Sequence, residues 1–187
     1  MRKLTMLILL ALLVASNTRA QSVHANFDGN WKFHPGDVSN AESENLSDKS
    51  WRTLTLPHDW SIEDLPNQSD SVIGPFTIKS IGATATGYTV GGIGWYRKHF
   101  KLNNIKNKEV NIYFDGVYMN SDVYINGHHL GNHPYGYTPF SYDIASYLKS
   151  NGEENIIAVR ASNEGKNSRW YSGSGIYRHV WLTVTPQ

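Results

Sequence analysis

The stretch Trp95-Tyr96-Arg97-Lys98-His99-Phe100-Lys101-Leu102 decides the fold class. Tyr96, Lys98, Phe100 and Leu102 alternate with Trp95, Arg97 and His99, a period of two that puts one row of side chains on each face of a strand. The pattern recurs outward from this stretch. Val110, Ile112 and Phe114 repeat it, and Val123 and Ile125 repeat it again before Asn126-Gly127. That dipeptide marks a tight hairpin, because both central residues of the favoured turn need positive φ. Residues 128–130 form the return. Upstream, residues 31–34 make a short strand, and residues 51–56 make another that Pro57 stops, since proline has no N–H for a ladder. Ile157 with Val159, and Val180 with Leu182 and Val184, supply two more. One helical turn is expected within residues 143–148, with Asp143 as its cap.

Strands with one apolar face bury that face most simply in two facing antiparallel sheets, and no βαβ spacing occurs. The expectation is an all-β chain, a β-sandwich. Two segments interrupt it. Residues 37–50 are acidic and rich in Ser and Asn, which predicts a solvated loop. Residues 61–92 are irregular and rich in Gly, Ser and Thr; a loop so long in a compact domain has a functional reason or is disordered.

The composition, 40% hydrophobic and 18% charged, is that of a folded globule in 187 residues, enough for one domain. There are 11 Tyr and 6 Trp against 6 Phe, a bias toward rings with a polar handle that suits both β-sheets and ligand platforms. With no Cys, there is no disulfide, thiolate nucleophile or cysteine metal site. Formal net charge is +1, but Arg2, Lys3 and Arg19 precede the domain; without them 14 basic side chains face 16 acidic ones. No basic field remains to hold nucleic acid.

Arg2 and Lys3 begin a signal-peptide pattern: residues 4–15 are apolar but for Thr5, and Thr18-Arg19-Ala20 puts small residues before a cut after Ala20. The apolar run is too short to span a bilayer. Residues 1–20 are therefore expected to be a signal peptide and residues 21–187 a secreted or periplasmic domain, with no membrane attachment after cleavage.

Glycosidic hydrolysis needs two paired carboxyls. Asp37, Glu42, Glu44, Asp48, Glu63, Asp64, Asp70, Glu153 and Glu154 sit in predicted loops or beside turns, where solvation is their expected state. Asp59 and Asp122 are better placed, but nothing in the sequence pairs them. His128 and His129 are adjacent in a strand and point to opposite faces, so they do not share a metal. No catalytic residue, metal site or cofactor is expected. Three polar-aromatic segments stand out: Pro57-His58-Asp59-Trp60, Tyr135-Gly136-Tyr137, and Arg169-Trp170-Tyr171 before Ser172-Gly173-Ser174-Gly175. Rings suit the C–H faces of sugars, and Arg or Asp suit their hydroxyls. The same residues equally serve as core rings and loop pins.

These segments belong to a longer series of blocks. They are Phe27-Asp28-Gly29-Asn30-Trp31, Leu56-Pro57-His58-Asp59-Trp60, Gly94-Trp95-Tyr96-Arg97-Lys98, Phe114-Asp115-Gly116-Val117-Tyr118, Val123-Tyr124-Ile125-Asn126-Gly127, and Arg169-Trp170-Tyr171-Ser172-Gly173-Ser174-Gly175-Ile176-Tyr177-Arg178. In this order they resemble the amino-terminal, sugar-binding domain of family 2 glycoside hydrolases, especially the long β-galactosidase-like members of gut Bacteroidetes. The resemblance implies a jelly-roll sandwich like galactose-binding domains. It also implies further domains, one immunoglobulin-like and one (β/α)8 barrel carrying two catalytic Glu, that hydrolyse terminal sugars with retention. Because the chain ends at Gln187, a fragment or truncated reading frame is expected. Substrate-binding residues are expected at Arg169, Trp170, Tyr171, Asp59 and Trp60, with a carbohydrate as partner. The β-galactosidase of enteric bacteria places substrate-contacting Asn and Asp where this chain has Gly91-Gly92 and Ser168-Arg169, so galactose specificity does not transfer through those positions. A free-standing carbohydrate-binding module remains the alternative.

Overall fold

The computed structural model describes residues 22–149, 152–166 and 172–186. Its strands form two main antiparallel sheets. The larger runs β3 (Arg52–Leu54), β2 (Trp31–Pro35), β6 (Gly92–Lys101), β11 (Glu154–Asn163), β8 (Ser121–Ile125) and β9 (His128–His133). The smaller runs β1 (Val23–Asn26), β12 (Val180–Pro186), β7 (Lys108–Phe114) and β10 (Phe140–Asp143). A separate two-stranded ribbon, β4 (Val72–Ile73) with β5 (Phe76–Thr77), lies within residues 61–92. The expected sandwich is present, and no α-helix occurs among the described residues.

The predicted alternation builds the core. Phe33, Tyr96, Val123, Ile125, Ile157 and Val159 of the larger sheet share one buried cluster with Val110, Ile112, Phe114, Val180 and Leu182 of the smaller. Each such side chain contributes roughly 1.5–3 kcal/mol by leaving water. The Asn126-Gly127 hairpin forms, with φ of +48° and +80°. The helical turn is a 3-10 turn, Ala145–Tyr147, capped at Ile144; the Asp143 carboxylate still accepts the Ala145 N–H at 2.9 Å.

One expectation is corrected. Residues 37–50 do not form a solvated loop but cover the outer face of the larger sheet, where Ala41, Trp51, Trp95 and Ala158 make a second buried cluster. Arg97, fully buried, fastens this cover. Its Nε donates to Asp48 at 2.8 Å, and its remaining N–H groups meet the carbonyls of Ala41, Ser43 and Leu46. Asp48 is 6% exposed and also bonds His99, so a carboxylate expected in water is paired inside. β11 is accordingly buried on both faces, through Ile156 and Ala158 as well as Ile157 and Val159.

Candidate functional site

β6 begins and β11 ends at the same end of the sandwich, Gly92 opposite Asn163. The segments around residues 57–60 and 134–137 and the glycine-rich residues 172–175 converge here. Residues 57–61 are stitched to residues 174–176 by His58 N–H to the Ile176 carbonyl (2.8 Å) and Trp60 N–H to the Ser174 carbonyl (3.2 Å). Tyr118 and Gly175 exchange two backbone bonds on the other side, at 2.7 and 2.9 Å. Side chains complete the clasp. Oδ1 of Asp59 accepts the N–H of Ser61 at 2.9 Å and of Ser174 at 2.8 Å. The Asn163 amide donates to the Gly173 carbonyl and to Ser174 Oγ, at 2.9 and 2.8 Å. Ser61 Oγ lies 2.6 Å from Ser174 Oγ and donates to the Val90 carbonyl at 2.7 Å.

Two glycines make this closeness possible. A Cβ on Gly175, whose φ is +111°, would lie 2.1 Å from Tyr96 Oη. A Cβ on Gly91 would lie 2.3 Å from the Asn163 carbonyl oxygen. The segment Pro134-Tyr135-Gly136-Tyr137 joins the same end: Tyr177 Oη donates to the Gly136 carbonyl at 2.8 Å, and Tyr137 packs edge-on to Tyr118 with centroids 5.3 Å apart. Beside it a cleft of about 410 Å3 is lined by Met119, Asn120, Pro134, Ser162 and Glu164.

Asp59 and Trp60 thus lie at this end, both turned inward. Trp60 is 8% exposed; its ring stacks on Phe33 with centroids 5.7 Å apart, and its Nε1–H reaches the Gly91 carbonyl at 3.2 Å. Arg169, Trp170 and Tyr171 lie outside the described residues, between the two halves of the clasp in the chain. Ser61, Asn163 and Ser174 had no mark in the sequence beyond the glycine-rich run near Ser174.

Behind the clasp a polar chain runs from the core to a second cleft of about 430 Å3, walled by Phe33, Trp51, Arg52, Trp60 and Glu63 among others. Burial pushes the Tyr96 phenol well above its usual range, so it keeps its proton. Its oxygen lies 2.7 Å from His58 Nδ1. His58 Nε2 lies 2.8 Å from Arg52 Nη2 and 3.0 Å from Glu63 Oε1. Burial holds His58 below its ordinary pKa, which agrees with a neutral ring. Glu63 also pairs with Arg52 at 2.6 Å. Burial raises the Glu63 pKa, but the hydrogen bonds from Arg52 and His58 outweigh it and hold the carboxyl below its usual value. Such a group stays ionised and is a poor proton donor. Among the described residues no cluster of three or more His, Cys, Asp or Glu could hold a metal ion.

Residues 24–186 match the family described as glycosyl hydrolases family 2, sugar binding domain. The chain belongs to this family. It is 48% identical over 163 residues to the β-galactosidase BoGH2A of Bacteroides ovatus, covering 86% of this chain and 18% of that protein. It is 35% identical over 184 residues to a β-glucuronidase of Formosa agariphila, covering 90% of this chain and again 18% of the relative. Among solved structures, a family 2 member from Bacteroides cellulosilyticus superposes with a TM-score of 0.81 at 50% identity, covering 87% of this chain and 20% of that one. The chain therefore spans about a fifth of the length of these relatives.

Proposed function

We propose that this chain is the sugar-binding sandwich of a secreted, retaining exo-glycosidase, β-galactosidase-like in substrate, that walls the non-reducing-end pocket and leaves bond cleavage to another domain. The observation carrying this is the clasp, in which Asp59 and Asn163 both hold residues 173–174. It fixes both flanks of the segment containing Arg169, Trp170 and Tyr171. On this view those three meet the sugar, with Arg169 holding neighbouring hydroxyls and a ring covering the apolar face. Asp59 and Trp60 both bond Ser174 and so anchor the C-terminal flank of that segment.

The carboxyls support a non-catalytic role. A glycosidase acid must hold its proton near neutrality, through a raised pKa. The four carboxyls with displaced values, Asp28, Asp37, Asp48 and Glu63, are all displaced downward. Export rests on the first twenty residues, and mass spectrometry of the exported product should find Gln21 at its start. A β-glucuronide is the second reading, favoured by the Formosa agariphila relative; Arg169 would then pair with the sugar carboxylate.

The test is Arg169→Ala in a multidomain enzyme carrying this chain as its sugar-binding domain. A fall in kcat/KM of about tenfold or more, equal to about 1.4 kcal/mol of transition-state binding, with Tm unchanged, supports the proposal. A larger fall for a glucuronide than for a galactoside favours the second reading. Unchanged activity with a Tm several degrees lower makes Arg169 a structural residue.

A further inference from the structure

The two sheets finish their outer faces differently. Residues 37–50 cover that of the larger sheet. On the smaller sheet Asn111, Tyr113, Trp181 and Thr183 are half-buried and Ser141 is exposed. Strand alternation turns them outward, because their neighbours Ile112, Phe114, Val180 and Leu182 point into the core. The register aligns them across three strands: Ser141 stands beside Tyr113 and Tyr113 beside Trp181, with Asn111 beside Thr183 in the next pair on this face.

Two clefts of about 480 and 340 Å3 lie along this face and share Tyr113 and Asp115, so they join into one groove. From Asn111 to Asp115 alone it follows four residues of strand, about 13 Å at roughly 3.3 Å per residue, longer than a single sugar ring. Pro57 and Tyr177 line its far end. Tyr177 Oη holds the Gly136 carbonyl and Pro57 precedes His58, so the groove runs from the middle of the sheet to the rim of the clasped end.

The lining has the chemistry of a carbohydrate surface. It includes no Leu, Ile, Val, Met or Phe, so it offers little to the apolar anchors of a protein partner. The Trp181 ring is held in place: His24 stacks on it with centroids 4.7 Å apart, and its Nε1–H donates to Asp115 Oδ2 at 3.0 Å. Tyr113 supplies a second ring beside it. Rings already fixed can pack on the C–H faces of successive sugars with little further loss of side-chain freedom. Between and beyond them stand an amide (Asn111), a hydroxyl (Ser141), a carboxylate (Asp115) and a guanidinium (Arg178), which together donate to and accept from sugar hydroxyls. The carboxylate lies where the two clefts meet and disfavours an acidic chain. We infer that this groove is a second carbohydrate site, which takes several consecutive sugars of a neutral oligosaccharide or polysaccharide. The inference goes beyond the proposed function, which concerns one terminal sugar at the clasped end.

The test is an amide and indole NMR titration of the chain with β-1,4-galactotetraose and with cellotetraose. At least one should give saturable shifts on Asn111, Tyr113, Asp115, Ser141 and the Trp181 indole N–H, and should bind there about tenfold or more tightly than galactose. Tyr113→Ala should weaken that binding by about tenfold or more. Ser141→Arg, at an exposed position on the groove wall, should do the same at unchanged Tm, so the result does not depend on how well Tyr113→Ala folds. Tyr88→Ala removes an exposed ring away from the groove and should bind as wild type. No saturable shift on this face with either tetrasaccharide, or binding that survives both groove substitutions, overturns the inference. So does a dimer of the chain, seen by light scattering and abolished by Ser141→Arg, since a second copy would then be the occupant. Shifts at the clasped end alone would overturn this inference and leave the proposed function standing, and shifts on this face alone would do the reverse.

Discussion

The Asp59 carboxylate accepts the Ser174 N–H at 2.8 Å across 115 residues of sequence. The same oxygen accepts the Ser61 N–H, so one atom closes a 3-10 turn and anchors the glycine-rich segment against it. Asp59→Ala leaves both donors without their acceptor and should cost about 2–4 kcal/mol, less than the sum of two hydrogen bonds to a charged group at roughly 1.5–3 kcal/mol each because Asp59 is only half-buried. Asp59→Asn keeps an amide oxygen there and should cost about half as much. Urea denaturation of the two variants checks the order.

Gly175→Ala should be more damaging than its single methyl suggests. The new Cβ would meet Tyr96 Oη at 2.1 Å and the Trp60 ring at 3.1 Å, in a backbone with φ of +111°. Overpacking and positive-φ strain each cost about 1–3 kcal/mol. Gly29→Ala, where a Cβ meets nothing within 4 Å, is the matched control and should shift the midpoint little.

Two histidines should titrate in opposite directions. Burial depresses the His58 pKa, so the unfolded chain binds the proton more tightly than the folded one. The stability this contributes is complete above the unfolded value of about 6.5 and is lost as pH falls through the depressed folded value. At His99 burial also lowers the pKa, but Asp48 and Glu154 outweigh it and raise the net value. That contribution is complete below about 6.5 and is lost as pH rises through the folded value. Ring-proton NMR titration should find His58 below and His99 above the ordinary midpoint, and His58→Gln should flatten the loss of stability between neutral and mildly acidic pH.

The purified chain should hydrolyse no aryl-galactoside or aryl-glucuronide above a blank, as expected of a chain whose displaced carboxyls are all held ionised. Time-dependent release that survives repurification and disappears when one carboxylate is replaced would contradict this.

The strand framework was legible wherever alternation had one apolar row, as in β6, β7 and β12. The cover on the outer face of the larger sheet was not legible. Ala158 lies on the outer face of β11, and what covers it is a Ser- and Asn-rich segment fastened by Arg97 to Asp48. No local signal announces an ion pair between residues so far apart in sequence. Nor did the short edge strand β1, or β10, stand out, because each is mostly exposed. At the site, Pro57-His58-Asp59-Trp60 was recognisable as a motif, but its partners were not. Tyr96 reads as a core strand residue and Asn163 as a strand end, and only the three-dimensional crossing makes one a hydrogen-bond partner of His58 and the other half of the clasp.

The most direct test of the central claim, that the clasped end binds a terminal sugar, is an amide NMR titration of the chain with galactose and with glucuronate. A small ligand gains little free energy from the contacts that one shallow cleft offers, so saturation is expected only in the millimolar range. Shifts should concentrate on Asn120, Asn163, Glu164, Ser174 and the segment from Arg169 to Tyr171. The absence of any saturable shift, or shifts confined to the outer face of the smaller sheet, would contradict it.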